Sequence, residues 1–213
     1  MKILHITPHL GGGIGSVVFN WIKKDNSDNS HKIICLDKNN GKDWIEIDEQ
    51  CENVTIHDAC YFSDNFETLL KGNITSADIV LLHWWNHPLL YDVMINFQWP
   101  ACRLLLWNHS AGLFPPYIIP EELLGFVDYF VATSPVSHEC KEDLDVIWST
   151  GDIEGFENIE KIPHDGFNVG YVGTVDFGKV CFPWASRSLS YTRYFVENRC
   201  LWLSFAAVAF WNV

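Results

Sequence analysis

Apolar residues recur in short runs, separated by polar clusters and by stretches of helical spacing. Lys2-Ile3-Leu4-His5-Ile6-Thr7-Pro8-His9-Leu10 has the density of a buried strand, and residues 31–37, 53–57, 77–83, 102–107 and 127–134 repeat that pattern. Residues 145–151 offer one more strand. Between these runs the spacing predicts helices over residues 16–24, over 65–71 with Gly72 as the stop, and over 88–97 with Pro88 in the first turn. A further polar helix is expected through residues 141–144, and Phe114-Pro115-Pro116-Tyr117 with Pro120 reads as loop. Continuous apolar strands alternating with helices predict an α/β fold, a Rossmann-like parallel sheet with helices on both faces. Ligands of such sheets gather outside the carboxyl ends of the strands. That edge is expected to carry the first loop, residues 83–87, residues 108–112 and Thr133-Ser134.

The first loop is Gly11-Gly12-Gly13-Ile14-Gly15-Ser16, set between strand and helix. Glycines let backbone N–H groups approach a ligand closely, and a helix N-terminus adds unpaired donors and positive potential. A phosphate or another anionic group suits such a loop. The same glycines could simply close a tight turn.

Composition narrows the partners. The chain has 213 residues and a net charge of −13 with its nine histidines neutral, which opposes binding to a nucleic-acid backbone or an anionic bilayer. No transmembrane segment is expected, since the longest apolar run, residues 201–211, is too short to span a bilayer. The start of the chain lacks the h-region of a secretory signal, and the seven scattered cysteines include no CxxC pair, so a cytoplasmic protein with free thiols is expected. Nothing in the sequence sets an oligomeric state.

The pattern divides the chain into a first domain over residues 1–150, an acidic, turn-rich linker over 151–166, and the incomplete start of a second domain over 167–213. Phe167-Asn168-Val169-Gly170-Tyr171-Val172-Gly173-Thr174 opens what reads as a fresh strand and loop. From Cys181 onward the usage changes. Glu197 is the single acid there against Arg187, Arg193 and Arg199, whereas the whole preceding chain has Arg103 alone, and aromatic residues crowd the stretch. A shifted reading frame or an artificial ending would produce that change; an apolar terminal helix is the alternative.

Several of these segments, in this order, resemble the retaining glycosyltransferases of the GT-B fold, the family 4 group that uses nucleotide-sugar donors. The likeness rests on Lys2-Ile3-Leu4-His5-Ile6-Thr7 with Gly11-Gly12-Gly13-Ile14-Gly15, on Asn108-His109, on Ala132-Thr133-Ser134, and on residues 169–174 with Phe177-Gly178-Lys179. It spans residues 1 to about 180. The resemblance implies two Rossmann-like domains facing across a cleft, with the acceptor on the first and the nucleotide sugar mostly on the second. It places Gly12, Gly13, Gly15, Ser16 and Asn108 near the substrates and makes His109 the cleft histidine at the sugar. Gly173, Thr174 and Lys179 would belong to the loop that holds the donor diphosphate. Thr174 stands where the family commonly has Arg, and the family's paired glutamates have no counterpart beside Glu197. The activity implied is sugar transfer with retention to an unknown acceptor, weak or absent in this chain, with no cofactor.

A dinucleotide-binding oxidoreductase competes for the same residues, since Asp37 ends the second strand roughly twenty residues beyond the glycines, where an acid would hold a ribose. Pro8-His9-Leu10 before the glycines, and Ser16 at the third glycine position, count against it. A non-catalytic binding domain derived from a glycosyltransferase is the other alternative. No metal site is expected: His5 with His9, and His83 with His87, are four apart but on strand-to-loop segments, where that spacing does not gather ligands on one face. Trp84-Trp85 could be core or could stack on a sugar ring.

Overall fold

In a computed structural model the described residues are 1–39, 53–110, 119–135 and 145–149, together with the backbone of three later strands. The chain divides into two compact units, Met1–Glu157 and Asn158–Val213.

The first unit is a seven-stranded parallel sheet. Its strands are β1 (Lys2–Thr7), β2 (Ser30–Cys35), β3 (Val54–His57), β4 (Ile79–Trp84), β5 (Leu104–Asn108), β6 (Tyr129–Ala132) and β7 (Asp145–Val146), in the spatial order β3-β2-β1-β4-β5-β6-β7. Among the described residues the helices are α1 (Gly12–Lys24), α2 (Phe66–Ser76), α3 (Pro88–Asn96) and α4 (Glu121–Phe126), with one 3-10 turn at Cys60–Phe62. This is the Rossmann-like α/β arrangement that the alternating pattern predicts. Because the order runs outward from β1 in both directions, the crevice between β1 and β4 is the topological switch point.

Two aspartates help to set the register at the amino edge. Asp78, just before β4, accepts the Lys2 N–H on Oδ2 at 2.7 Å while its own N–H bonds the Lys2 carbonyl at 2.9 Å. Asp128 does the same one pair over, accepting the Leu104 N–H at 2.8 Å and donating to the Leu104 carbonyl at 3.0 Å. Each carboxylate thus satisfies a leading strand N–H that would otherwise lack a partner.

Side chains alternate across the sheet. One face presents Leu4, Ile6, Ile34, Leu36, Val80, Leu82, Trp84, Leu104, Leu106 and Phe130, packed with Leu70 and Ile74 of α2, Leu90 and Val93 of α3 and Leu123 of α4. The other face is covered by α1 through Val17, Val18 and Ile22, against Ile33 and Cys35 near β2 and against Leu81, Trp107 and Val131 farther along. Lys23 and Lys24 close α1, where cations oppose the helix dipole.

Some boundaries differ from the sequence pattern. Helix α1 starts at Gly12, before the polar Ser16, because Gly12 takes φ +69° and turns the chain straight into helix. Helix α2 runs through Gly72 to Ser76: burial of Leu70 and Ile74 on either side outweighs the roughly 1 kcal/mol an exposed mid-helix glycine costs. The short α4 follows Pro120 and carries Glu121 and Glu122 in its first turn, in a segment that the prolines alone mark as loop. The helix expected through residues 141–144 lies outside the described residues.

The second unit contains β8 (Val169–Tyr171), β9 (Tyr194–Glu197) and β10 (Cys200–Leu203), joined as an antiparallel sheet in the order β8-β10-β9. Among the described residues, no helix is long and apolar enough to cross a membrane.

Candidate functional site

Strands β1, β4 and β5 end side by side at the carboxyl edge, and the loops after them define the site. After β1, the Thr7 hydroxyl donates to the His9 carbonyl at 3.1 Å, and the Gly11 N–H donates to His9 Nδ1 at 3.0 Å. Asn39 anchors the base of this loop by accepting the Leu10 N–H at 2.6 Å, and is itself held by Asp58. The glycines then do different work. A Cβ on Gly15 would lie 1.8 Å from the Leu10 carbonyl oxygen, so only glycine lets α1 pack this closely on the loop. A Cβ on Gly12 or Gly13 would meet nothing within 4 Å, so their bare backbone faces open space. Helix α1 has no side-chain cap at its start, and Ser16 sits exposed in the first turn with its hydroxyl 3.4 Å from the Gly12 carbonyl.

After β4 the two tryptophans part. Trp84 is 2% exposed in the apolar core, against Tyr91. Trp85 turns to the edge, where its ring meets His9 at 5.3 Å and His87 at 4.8 Å between centroids, and its buried indole N–H has no partner among the described residues. Burial and the nearby His9 lower the pKa of His87, with Asp37 opposing them. His87 also caps α3, its Nδ1 accepting the Leu89 N–H at 3.3 Å.

After β5, Asn108 is fully buried. Its amide oxygen accepts the Ser110 N–H at 3.1 Å and the Ser110 hydroxyl at 2.8 Å, while its NH₂ donates to the Ser110 carbonyl at 2.8 Å. With its polar atoms engaged in this turn, Asn108 serves to fix its neighbour. That neighbour, His109, donates its backbone N–H to the Trp84 carbonyl at 2.8 Å, which ties the β5 loop to β4.

His109 is the outer end of a row of four imidazoles. Its Nε2 lies 2.9 Å from His83 Nδ1, His83 Nε2 lies 3.0 Å from His5 Nδ1, and His5 Nε2 lies 3.0 Å from His31 Nδ1. At the inner end, His31 Nε2 donates to Asp25 Oδ2 at 3.1 Å. The row is a consequence of register. His31 pairs with Ile3, His5 with Leu81 and His83 with Trp107, so each histidine stands two positions nearer the carboxyl edge than the previous one, on the same face. Ring planes are nearly parallel in the outer part of the row, 10° between His5 and His83 and 19° between His83 and His109, and tilted by 33° between His5 and His31. Trp21 of α1 covers His5 and His31 edge-on, and Trp107 lies against His83 and His109.

Burial keeps the row neutral. It pushes the pKa of His5 down to about 3 and that of His109 to about 4, lowers His83 well below its ordinary value, and lowers His31 despite the opposing Asp25 carboxylate. Asp25 is held far below the usual carboxylate range by the Ser27 hydroxyl, the Asn29 amide and the Ser27 N–H. Inspection of His5 and His9, or His83 and His87, at spacing four misses this row, because its members are 26 and 78 residues apart in the chain. A visible signal does exist: His83 is the lone polar residue of β4, and His5 breaks the apolar run of β1 before Thr7 ends it.

Other chemistries find less support. Cys35 is buried and its thiol is pushed up to about 12, which leaves no thiolate for nucleophilic work. Among the described residues, no cluster of His, Cys, Asp or Glu is gathered to hold a metal ion. Gly173, Thr174 and Lys179 lie outside the described residues. Fold and edge geometry together define an α/β Rossmann-like unit with a polar site at its switch point. In comparisons with protein families, curated proteins and solved structures, nothing matches this chain.

Proposed function

We propose that the first unit is the acceptor-side domain of a retaining GT-B glycosyltransferase, built to hold sugar hydroxyls and phosphate where β1, β4 and β5 end. The observation that carries this reading is His109. It is a neutral imidazole held by backbone and ring contacts at the end of β5, its Nδ1 buried and without a hydrogen-bond partner among the described residues, and β4 alone separates its strand from that of the glycine loop. Such a group accepts a hydrogen bond from a sugar hydroxyl without bringing a charge. The open backbone of Gly12 and Gly13 at an uncapped helix start supplies donors for an anionic group. Trp85 adds an apolar ring at the same edge.

Transfer itself is expected to be negligible. Thr174 replaces a diphosphate-binding Arg of the family pattern, and Glu197 stands without the paired acid, so alignment of the donor would be poor. Titrating the purified chain with UDP-glucose, GDP-mannose and NAD, followed by histidine ¹⁵N signals, tests the reading. A nucleotide sugar is expected to shift the His109 signals and NAD to leave them unchanged. A response to NAD alone would replace the proposal with the dinucleotide reading.

A further inference from the structure

We propose that Asp25 orders the tautomers of His31, His5, His83 and His109 in series, so that His109, four imidazoles away, keeps a bare lone pair on its buried Nδ1, which a ligand hydroxyl meets only where the groups covering that atom give way. The argument is one of donor and acceptor accounting. A neutral imidazole carries one N–H and one lone pair. Asp25 is ionised and acceptor-only, and its other partners all donate: the Ser27 N–H to Oδ1 at 2.9 Å, the Ser27 hydroxyl to Oδ1, and the Asn29 NH₂ to Oδ2 at 2.9 Å. His31 therefore holds its proton on Nε2 and turns a lone pair on Nδ1 toward His5. The same necessity repeats at each contact: His5 donates from Nε2, His83 donates from Nε2, and His109 donates from Nε2. One atom is left over at the far end. It is His109 Nδ1, the buried ring nitrogen that has no partner among the described residues.

The order also defines a route for a proton. If His109 Nδ1 gains one from a hydronium ion, which leaves as water, its Nε2 proton can pass to His83 Nδ1, that of His83 to His5 Nδ1, and that of His5 to His31 Nδ1. Each N–H that breaks is matched by one that forms, and the charge comes to rest on His31. There it faces the Asp25 carboxylate, with the Met1 ammonium as the opposing charge. His5 faces only His31 and His83 among titratable neighbours, and His83 faces only His5 and His109, among the described residues. Asp25 is thus a positioning residue for His109. The hydroxyl as occupant rests on the glycosyltransferase reading, whereas the tautomer order does not.

Long-range ¹H–¹⁵N correlation spectra of the ¹⁵N-histidine-labelled chain at pH 7 report the tautomer of each ring. All four are expected as Nε2–H, with His109 Nδ1 unprotonated; any Nδ1–H form among them overturns the proposal. Asp25→Asn sharpens the test. The Ser27 N–H is a fixed backbone donor toward the Oδ1 position, whereas the Asn29 amide that donates at Oδ2 can rotate away, so the new amide oxygen belongs at Oδ1 and its NH₂ faces His31. His31 Nε2 must then accept, and the whole row reverses to Nδ1–H, turning His109 from acceptor to donor. A folded variant whose His109 tautomer does not change overturns the coupling, and if the variant does not fold the wild-type spectra still decide. Nucleotide sugars that leave Nδ1 unmoved while all four rings are Nε2–H would remove the glycosyltransferase reading and keep the ordered row.

Discussion

The two faces of the first sheet are made from the same strands and are built by opposite means. On the face toward α2, α3 and α4, alternate residues such as Leu4, Ile6, Leu82 and Leu106 are fully buried hydrocarbon, which needs no partner and has no directional demand. On the face toward α1, residues one step along the same strands include His31, His5 and His83, equally buried but dependent on one another, on His109 and on Asp25 for their ring nitrogens. Burying such groups is tolerable only when each is hydrogen-bonded. One face provides stability that is indifferent to pH and to sequence detail; the other converts stability into a continuous polar connection ending at the site.

Acid separates the faces most sharply. An unfolded histidine binds a proton below pH about 6.5, whereas folded His109 resists to about 4 and His5 to about 3. In that window the unfolded state holds more protons, so stability rises with pH and is lost as pH falls. Each such group contributes a slope approaching about 1.4 kcal/mol per pH unit. From His5 and His109 alone, denaturant titrations at pH 5.5 and 4.5 should differ by about 2.5 kcal/mol. A flat profile across that range would mean that the row is already charged in the folded state.

The next largest effect comes from the hydrocarbon face. Leu82 is fully buried between its neighbours on β1 and β5, and Leu82→Ala should cost roughly 2–5 kcal/mol through lost burial and the cavity left behind. The cost should be the same at pH 7 and pH 5.5, because the ionisable side chains of that cluster, Cys60, Tyr61, Tyr91 and Cys102, all have raised pKa values and stay neutral across the range. A loss that grows with acid would show that the two faces are coupled through the strands.

These contrasts also explain what could be read from residues alone. The alternation of apolar runs and helical spacing carries the sheet and its helices, because burial on both faces leaves a local mark in each strand. The carboxyl-edge position of the glycine loop and of Asn108-His109 follows from the same alternation. The histidine row does not follow, since it depends on a two-residue offset between neighbouring strands, which is fixed by pairing and not by any local pattern. The separate fates of Trp84 and Trp85, and of Gly13 and Gly15, were equally hidden: adjacent or near-adjacent residues of one type face core and edge.

The glycine loop gives the finest comparison within the site. Gly15→Ala puts a methyl where the Leu10 carbonyl oxygen already stands, at 1.8 Å, and backbone cannot yield as a flexible side chain would. A loss of roughly 1–3 kcal/mol is expected as α1 is pushed from the loop. Gly13→Ala meets open space at an ordinary helical position, so the folded state should hold steady or gain up to roughly 1 kcal/mol from reduced chain entropy. If the open backbone there receives a phosphate, the same methyl should weaken nucleotide-sugar binding about tenfold, a change of about 1.4 kcal/mol. Thermal unfolding with and without nucleotide sugar separates the two quantities in a single variant. Unchanged stability with unchanged binding would move the anion away from Gly13 and leave His109, with Trp85 beside it, to hold the ligand.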